Sequence, residues 1–397
     1  MKILIAHNRY QFAAGEETVV YAERALLQQK GNDVSLVEVS NDSINSGWSK
    51  LKATTSAIYS LSAKRLLSAE INRFQPDIVH VHNFFPLLSP SIYDACINAQ
   101  IPVVQTLHNY RLTCPGAKLL RDGKICEDCL GKKVPWRGVL HGCYRDSQVQ
   151  SAAVAVMVAV HQIRGTWQER VDAHITLTDF QRQKMIQAGL PESKVYVKPN
   201  FLFEPSLKGS KHSGNYALFV GRLWEEKGIV TLIDAYIQAG LTLPLKVIGD
   251  GPLQPILQRR VQSAGLEHVI EFVGWKEKSE VLVLMQNSQF LIFPSIWYET
   301  FGLSIIEAFA CGIPVLASRL GCMAELVEDG VTGLHFEAGN AIDLATKIAW
   351  AQTHPTEVAK MGKTASKVYE ARYTPETNYS QLMAIYDKVC EKYSVSC

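Results

Sequence analysis

The sequence predicts an α/β protein built from two doubly wound domains, each a parallel sheet covered by helices and the two facing each other across a cleft. Three observations carry that expectation. Short β-branched runs alternate with longer helical patterns almost throughout, the pattern of parallel strands joined by helical crossovers. The alternation stops and restarts once, near residue 200. Between the two series lies FEPSLKGSKHSGN, residues 203–215, rich in Ser, Gly and Lys, which reads as a linker. A chain of 397 residues also has the length for two domains. We expect the first domain over 1–200, the second over 201–375, and a C-terminal helix over 376–397 that could pack back on the first domain.

Composition bounds the class. With 47% hydrophobic and 20% charged residues the chain can build sizeable cores, as a soluble globular protein does. A net charge of +2 gives no argument for a nucleic-acid partner. MKILIAHN runs directly into a strand without the basic segment and cleavage site of a secretory signal. The longest apolar run, SAAVAVMVAV (151–160), falls short of the roughly 20 residues that span a bilayer and reads as a buried helix. Nine cysteines without an export signal point to a reducing cytoplasm rather than a disulfide framework.

In the first half the expected strands are KILIAH (2–7), VSLVEV (34–39), PDIVHVH (76–82), PVVQTLH (102–108), AHITLT (173–178) and VYVKP (195–199). The segment 48–74 reads as a basic, partly amphipathic helix, most simply packed on its own domain. Residues 114–145 stand apart from the alternation. Cys114, Cys126, Cys129 and Cys143 form a Cys-x11-Cys-x2-Cys-x13-Cys array in a stretch rich in Gly, Lys and Pro. A Cys-x-x-Cys turn can offer two thiolates to one tetrahedral zinc, with two more arriving from flanking segments. The alternatives are four free thiols or a cysteine pair without metal. From Arg111 to Arg145 there are eight Lys or Arg against three Asp or Glu, a surplus that suits anionic lipid head groups or a pyrophosphate-linked acceptor.

In the second half the expected strands are YALFVGRL (216–223), LKVIGDG (245–251), VIEFVGW (269–275), FLIFPS (290–295), PVLAS (314–318) and GLHF (333–336). FVGRLWEEKG (219–228) puts Arg222 at a strand end and Lys227 before a helix start, with Gly221 and Gly228 beside them. Two cations and a helix amino terminus suit a phosphate or diphosphate; solvated charges on an ordinary turn are the plainer reading. WYETFGLSIIEAFACGIP (297–314) then places Glu299 and Glu307 on either side of a helix start at Phe301-Gly302-Leu303. Carboxylates there would repel a phosphate, so they make sense as acceptors for hydroxyl groups. A nucleotide sugar supplies both, with Glu307 toward the ribose and Glu299 toward the hexose. Helix-dipole acids explain Glu307 poorly. A glycosidase pair leaves the Arg222–Lys227 segment without a purpose. No Asp-x-Asp is present to hold a divalent ion on a diphosphate, so catalysis needs no cofactor on this reading.

VGRLWEEKG, GDGP, FVGW and YETFGLSIIEAFACGIPVLAS, in this order and each at a strand end, resemble the retaining glycosyltransferases of family 4. The resemblance runs over nearly the whole chain and is strongest over 216–340. It implies the GT-B fold. It also implies that Arg222 and Lys227 bind the donor diphosphate, that Glu307 holds the ribose and that Glu299 contacts the donor sugar. Amides from Phe301 to Leu303 approach the sugar and phosphates, Gly221 lies at the diphosphate turn, and Gly274-Trp275 line the base pocket. Gly15 matches the family's glycine-rich loop, although Ala14 replaces its usual glycine neighbour. His108 matches the active-site histidine, followed here by Asn109 where an Asp is frequent. Asn200 matches an interdomain turn; His80 and His82 read as mainly structural. The implied reaction moves a sugar from a nucleotide-diphosphate sugar, UDP by default and GDP next, to a glycan or lipid-linked acceptor. The setting is the cytoplasm, with peripheral contact on the inner membrane face. A non-catalytic sugar-nucleotide-binding scaffold, an epimerase or a phosphorylase on the same fold are the alternatives.

Overall fold

The computed structural model describes residues 1–10, 15–43, 56–203 and 214–393. They fall into two compact units. One is drawn from Met1–Arg121, Cys126–Phe203 and Pro375–Cys397, the other from Asp122–Ile125 and Glu204–Thr374. Most of the expected linker, 204–213, lies outside the described residues, as do 48–55 of the amphipathic segment.

The first unit holds a six-stranded parallel sheet: β1 (Lys2–Arg9), β2 (Asp33–Ser40), β3 (Ile78–Asn83), β4 (Val103–Thr106), β5 (Ala173–Thr176) and β6 (Val195–Val197), in the order β2-β1-β3-β4-β5-β6. β3, β4 and β5 are buried along their whole length, because a parallel strand covered on both faces has no solvent side. Three helices follow the same logic. α1 (Gly15–Gln29) buries Val19, Val20, Leu26 and Leu27. α2 (Leu61–Phe74) is capped by Ser60, whose Oγ accepts from the Ala63 amide at 3.2 Å, and buries the stripe Ala63, Leu67, Ile71. α3 (Gln148–Ile163) contains the long apolar run and buries Val154, Met157 and Val158 while Val156 stays exposed. Among the described residues no helix is long and apolar enough to cross a membrane.

The terminal helix, Pro375–Cys390, packs in the first unit. Its Leu382, Ile385, Tyr386 and Val389 join one core with Ile3, Ile5, Val20, Ile78, Val104 and Ile175. Burying a leucine such as Leu382 is worth about 1.5–3 kcal/mol, so this helix is a structural layer and not a loose tail.

The second unit repeats the plan: β7 (Ala217–Val220), β8 (Leu245–Ile248), β9 (Ile270–Gly274), β10 (Phe290–Phe293), β11 (Val315–Ser318) and β12 (Gly333–Phe336). All are parallel, in the order β9-β8-β7-β10-β11-β12. Helices α4 (Ile229–Ala239), α5 (Lys278–Gln286) and α6 (Leu303–Ala310) belong to its crossovers. In open sheets of this kind ligands bind outside the carboxyl ends of the strands where the order reverses. That point lies between β7 and β10 here, and between β1 and β3 in the first unit.

Candidate active site

At the reversal in the second sheet, the loops leaving β7 and β10 meet. One glycine permits this approach, and another lets the loop leaving β8 close on the loop after β7. Gly228 has φ +69°, and a Cβ on it would lie 1.8 Å from the Pro294 carbonyl oxygen, just past β10. Gly249, at φ +127°, backs onto the Gly221 carbonyl, where a Cβ would stand 2.0 Å away. Any side chain at either position would force the loops apart. With the loops in place, the Ile296 amide donates to the Glu226 carbonyl at 3.0 Å. Lys227 Nζ donates to Glu299 Oε1 at 2.6 Å, and Ser295 Oγ donates to the same oxygen at 2.7 Å.

Two residues expected to bind different parts of one ligand are thus bonded to each other. The pairing has a physical reason: Glu299 is only 4% exposed, and a buried carboxylate must be met by donors or a charge. An ammonium carries three donors, so Lys227 keeps two for other acceptors. The Trp297 ring lies 5.6 Å from this ammonium. Arg222 is exposed, its guanidinium over Trp224 at 5.5 Å.

α6 begins at the same place. Its N-cap is Gly302, which has no side chain to satisfy the amides of Leu303 and Ser304, so the helix start presents its positive end, while the Ile305 amide donates to the Gly302 carbonyl at 3.0 Å. Phe301 is buried, edge-on to Tyr373 at 6.1 Å. Glu307 lies just over one turn into α6, is nearly buried, and accepts a hydrogen bond from Lys278 Nζ of α5. Lys278 was not singled out in the sequence; it sits in the lysine- and glutamate-rich WKEKSE, where nothing marks one charge from the next. Gly274 ends β9 at φ +79° with open space beside it, and Trp275 is 63% exposed. Lys227 and Lys278 are thus each paired with a carboxylate that keeps acceptor capacity, and the uncapped amino terminus of α6 favours an anion; the Arg222 side chain meets Trp224.

In the first unit, Gly15 opens α1 and is exposed, while Ala14 lies outside the described residues. His108 follows β4 and is part of a buried polar chain. His82 Nδ1 is 3.0 Å from His108 Nε2, and His82 Nε2 is 3.1 Å from Glu23 Oε1. His80 Nδ1 is 3.1 Å from that same oxygen and 2.6 Å from the Tyr386 hydroxyl, and His80 Nε2 is 2.8 Å from Thr106 Oγ1. The other Glu23 oxygen accepts from Lys198 Nζ at 2.8 Å, and Lys198 also donates to Asn378 Oδ1 at 3.3 Å. Asn378 in turn donates to the Pro199 carbonyl at 2.7 Å, next to Asn200, which is buried.

Charge follows from this packing. Burial alone would push the Glu23 carboxyl up, but Lys198, His80 and His82 outweigh it and hold it well below the carboxylate range. Burial, then the His80 charge, lowers His82 to about 4. Burial, then His82, holds His108 well below the usual imidazole range. Near neutral pH the His82 and His108 rings are therefore neutral. Among the described residues, Glu23, His80 and His82 are the set whose ligand atoms lie within 4.8 Å of one another. The cation that Glu23 already holds is the Lys198 ammonium.

A crevice beside His108 is lined by His82, Asn83, Phe85, Asn109 and Arg111. The buried Arg111 guanidinium lies over Phe85 at 4.5 Å and Tyr144 at 5.0 Å and donates to the Pro115 carbonyl. Beyond it comes the cysteine-bearing stretch. Cys114 and Cys129 are buried, Cys126 and Cys143 partly so, and none of the four is in a disulfide. Thr113 Oγ1 donates to the Cys129 carbonyl at 3.2 Å, and Gly116 faces the Cys143 carbonyl closely enough that a Cβ would lie 3.0 Å from it. The segments bearing Cys114, Cys129 and Cys143 therefore run together. Burial pushes the Cys129 thiol up to about 11, with Cys114, Cys143 and Cys126 adding to the rise. Among the described residues, no three of the four sulfurs lie within 4.8 Å of one another.

Comparison with known proteins gives two family matches: Glycosyltransferase Family 4 over residues 13–202 and Glycosyl transferases group 1 over 203–368. An uncharacterized glycosyltransferase of Methanocaldococcus jannaschii is 40% identical over 134 residues, 34% of this chain and 37% of that one. The D-rhamnosyltransferase of Pseudomonas aeruginosa is 30% identical over 161 residues, 40% of this chain and 42% of that one. The chain thus spans about two fifths of the length of these curated relatives. The crystal structure of Anabaena HepE in complex with UDP matches with a TM-score of 0.73 at 19% identity, over 98% of this chain and 100% of that one. This last likeness concerns the fold: two parallel-sheet α/β domains of the GT-B type.

Proposed function

This chain belongs to glycosyltransferase family 4, and on that premise we propose that it moves a sugar from a UDP-sugar to a glycan or lipid-linked acceptor with retention of configuration. One observation carries the proposal: at the strand-order reversal of the second sheet Lys227 pairs with the buried Glu299, four residues before α6 begins without a side-chain cap. Arg222, the two remaining donors of Lys227 and the first-turn amides of α6 stabilise charge on the leaving diphosphate, a role that needs no metal. Glu307, oriented by Lys278, takes the ribose hydroxyls with its second oxygen. Glu299, oriented by Lys227 and Ser295, takes a hydroxyl of the sugar. His108 meets the transferred sugar from the first unit. The sequence offers no separate nucleophile, so attack comes from the face the diphosphate leaves, with the departing phosphate as base. The UDP held by HepE supports uridine, with guanosine next.

On the acceptor side, the stacked Arg111 and the basic stretch around it suit a phosphate-bearing or lipid-linked acceptor. The exposed Leu61 and Leu66 of α2 favour peripheral contact with an anionic membrane from the cytoplasmic side. Cys114, Cys126, Cys129 and Cys143 would hold a zinc of structural purpose.

The test is thermal unfolding with UDP, GDP and ADP, with and without magnesium, on the wild type and Glu307→Ala. A nucleotide at about 100 times its dissociation constant adds about 2.7 kcal/mol of apparent stability. We expect UDP to shift the wild type without magnesium and the variant to lose the shift. If none of the three nucleotides moves the wild type, the donor-site reading is wrong.

A further inference from the structure

We infer that one face of the first unit, running along α3 from the short helix Trp136–Leu140 to the start of α2, is a docking surface for an anionic lipid layer. The observation is a line of apolar side chains that the fold leaves uncovered. Val149, Val156 and Ile163 recur at seven-residue intervals, so they stand on one side of α3. All three are exposed, Val149 by 79% and Ile163 by 69%, and the line they form is about 21 Å long. Both of its ends continue onto other elements. At the start, Gln148 Nε2 donates to the Leu140 carbonyl at 3.0 Å and the Tyr144 amide donates to Ser151 Oγ at 2.9 Å. These bonds hold the short helix to α3 with Trp136 and Leu140 more than half exposed. At the far end, His161 Nε2 is 2.8 Å from the Ile58 carbonyl, and the Arg164 guanidinium lies over the Tyr59 ring at 5.8 Å, just before the exposed Leu61. Apolar residues exposed singly are ordinary, whereas a contiguous line of them marks a contact surface.

Charge identifies what covers it. α3 carries no Lys, Arg, Asp or Glu from Gln148 to Ile163. From Cys129 to Arg145 the chain has four cations, Lys132, Lys133, Arg137 and Arg145, and no carboxylate. Arg137 pairs with Asp128 at 3.3 Å. Lys132, Lys133 and Arg145 are exposed and have no carboxylate partner among the described residues, and Asp146 is an exposed carboxylate at the border. The far end is basic as well, with Arg65 and Arg164 exposed. A second copy of the chain laid along this face in either direction would therefore set cations against cations. An anionic lipid surface meets both ends favourably, takes the apolar line below its head groups and suits an indole at the boundary. The inference rests on the proposed membrane contact of α2 for the class of partner, and goes beyond it in placing the main surface on α3 and the cysteine-bearing stretch.

The experiment is co-sedimentation of the full chain with vesicles of phosphatidylcholine, alone or mixed with phosphatidylglycerol, at ~0.1 M salt. We expect the wild type to bind the mixed vesicles and to leave the neutral ones. Trp136→Ser with Leu140→Ser, and separately Val149→Gln with Ile163→Gln, should weaken binding roughly tenfold or more. Lys132→Gln, Lys133→Gln and Arg145→Gln together should weaken it on the order of a hundredfold and flatten its salt dependence. All these side chains are exposed, so an unchanged melting temperature certifies the fold of each variant. If Leu61→Ser with Leu66→Ser abolishes sedimentation while the Trp136 and Leu140 variant still binds, the inference is overturned and the α2 contact stands. A wild type that ignores both kinds of vesicle refutes both membrane readings. Light scattering that shows a dimer, made monomeric by Trp136→Ser with Leu140→Ser, would give the face to a second copy and overturn the inference as well. None of these results touches the donor site, which the nucleotide melts test separately.

Discussion

Lys227 and Glu299 act on each other before either can act on a ligand, and this separates their variants. Glu299→Gln keeps an acceptor oxygen for Lys227 and Ser295 and removes a negative charge from beside the diphosphate position. We expect UDP affinity to hold or tighten, while turnover falls about a hundredfold for loss of the charged sugar contact. Lys227→Met leaves Glu299 without its charged partner. It should weaken UDP binding and cost roughly 1–3 kcal/mol of stability, the range for a hydrogen bond to a charged group. Calorimetric UDP binding and denaturant melts of both variants separate the two effects; equal loss of UDP affinity would contradict the assignment. The sequence marked both as candidate site residues because each lies in a loop just before a helix start, close to a glycine. That they pair was not legible, since the contact depends on how closely Gly228 lets two loops approach. Glu23 and Lys198 escaped notice for another reason: their partners lie far off in the chain. A signal existed, however. Glu23 falls on the stripe Val19, Val20, Glu23, Leu26, Leu27, the buried face of α1, where an unpaired carboxylate would not be tolerated.

The strands were the most legible elements, because β-branched runs between helical stretches mark buried parallel strands directly. Their ends were not. LKVIGDG stops pairing at Ile248 because Gly249 and Gly251 take positive φ values that no strand holds, and PVVQTLH stops at Thr106. The periodicity of the terminal helix showed that it had an apolar face to bury, but not which sheet would take it. The cysteine-bearing stretch gives a prediction at this scale. Its backbone brings three cysteine segments together without drawing the sulfurs into a cage, so a metal would close the last gap. We expect about one zinc per chain by plasma emission spectroscopy on protein purified without chelator, and a lowered melting temperature after chelation. Protein with four freely titrating thiols and no bound zinc would count against the site.

Taken as a whole, the molecule carries several imidazoles sealed away from water, and its stability should follow pH accordingly. Burial, as the largest cause in each case, lowers His7, His82 and His174 from 6.5 to about 4. Between those values the unfolded chain binds protons that the folded chain refuses. The contribution is therefore complete above pH 6.5 and is lost as pH falls through about 4, on the order of 3 kcal/mol for His174 alone. Glu16 opposes this trend. Burial raises its carboxyl, so the folded chain keeps an extra proton as pH climbs above 4.5. Burial lowers His108 and His161 as well, so five rings against one carboxyl leave the histidines dominant. The melting temperature should fall between pH 6.5 and 5, before ordinary carboxylates titrate; a flat profile there would contradict the buried neutral rings.

One feature of the architecture bears on how the molecule is made. A ribosome delivers this chain from its first residue onward, yet the sheet that begins with Lys2 waits for Asn378, Leu382 and Tyr386 to close its core. The second unit has all its strands and helices by Arg372, before that closing helix has been synthesised. The domain that is translated first is thus completed last, and until that helix emerges the nascent chain must carry Lys198 and the apolar face of its opening sheet without their final cover.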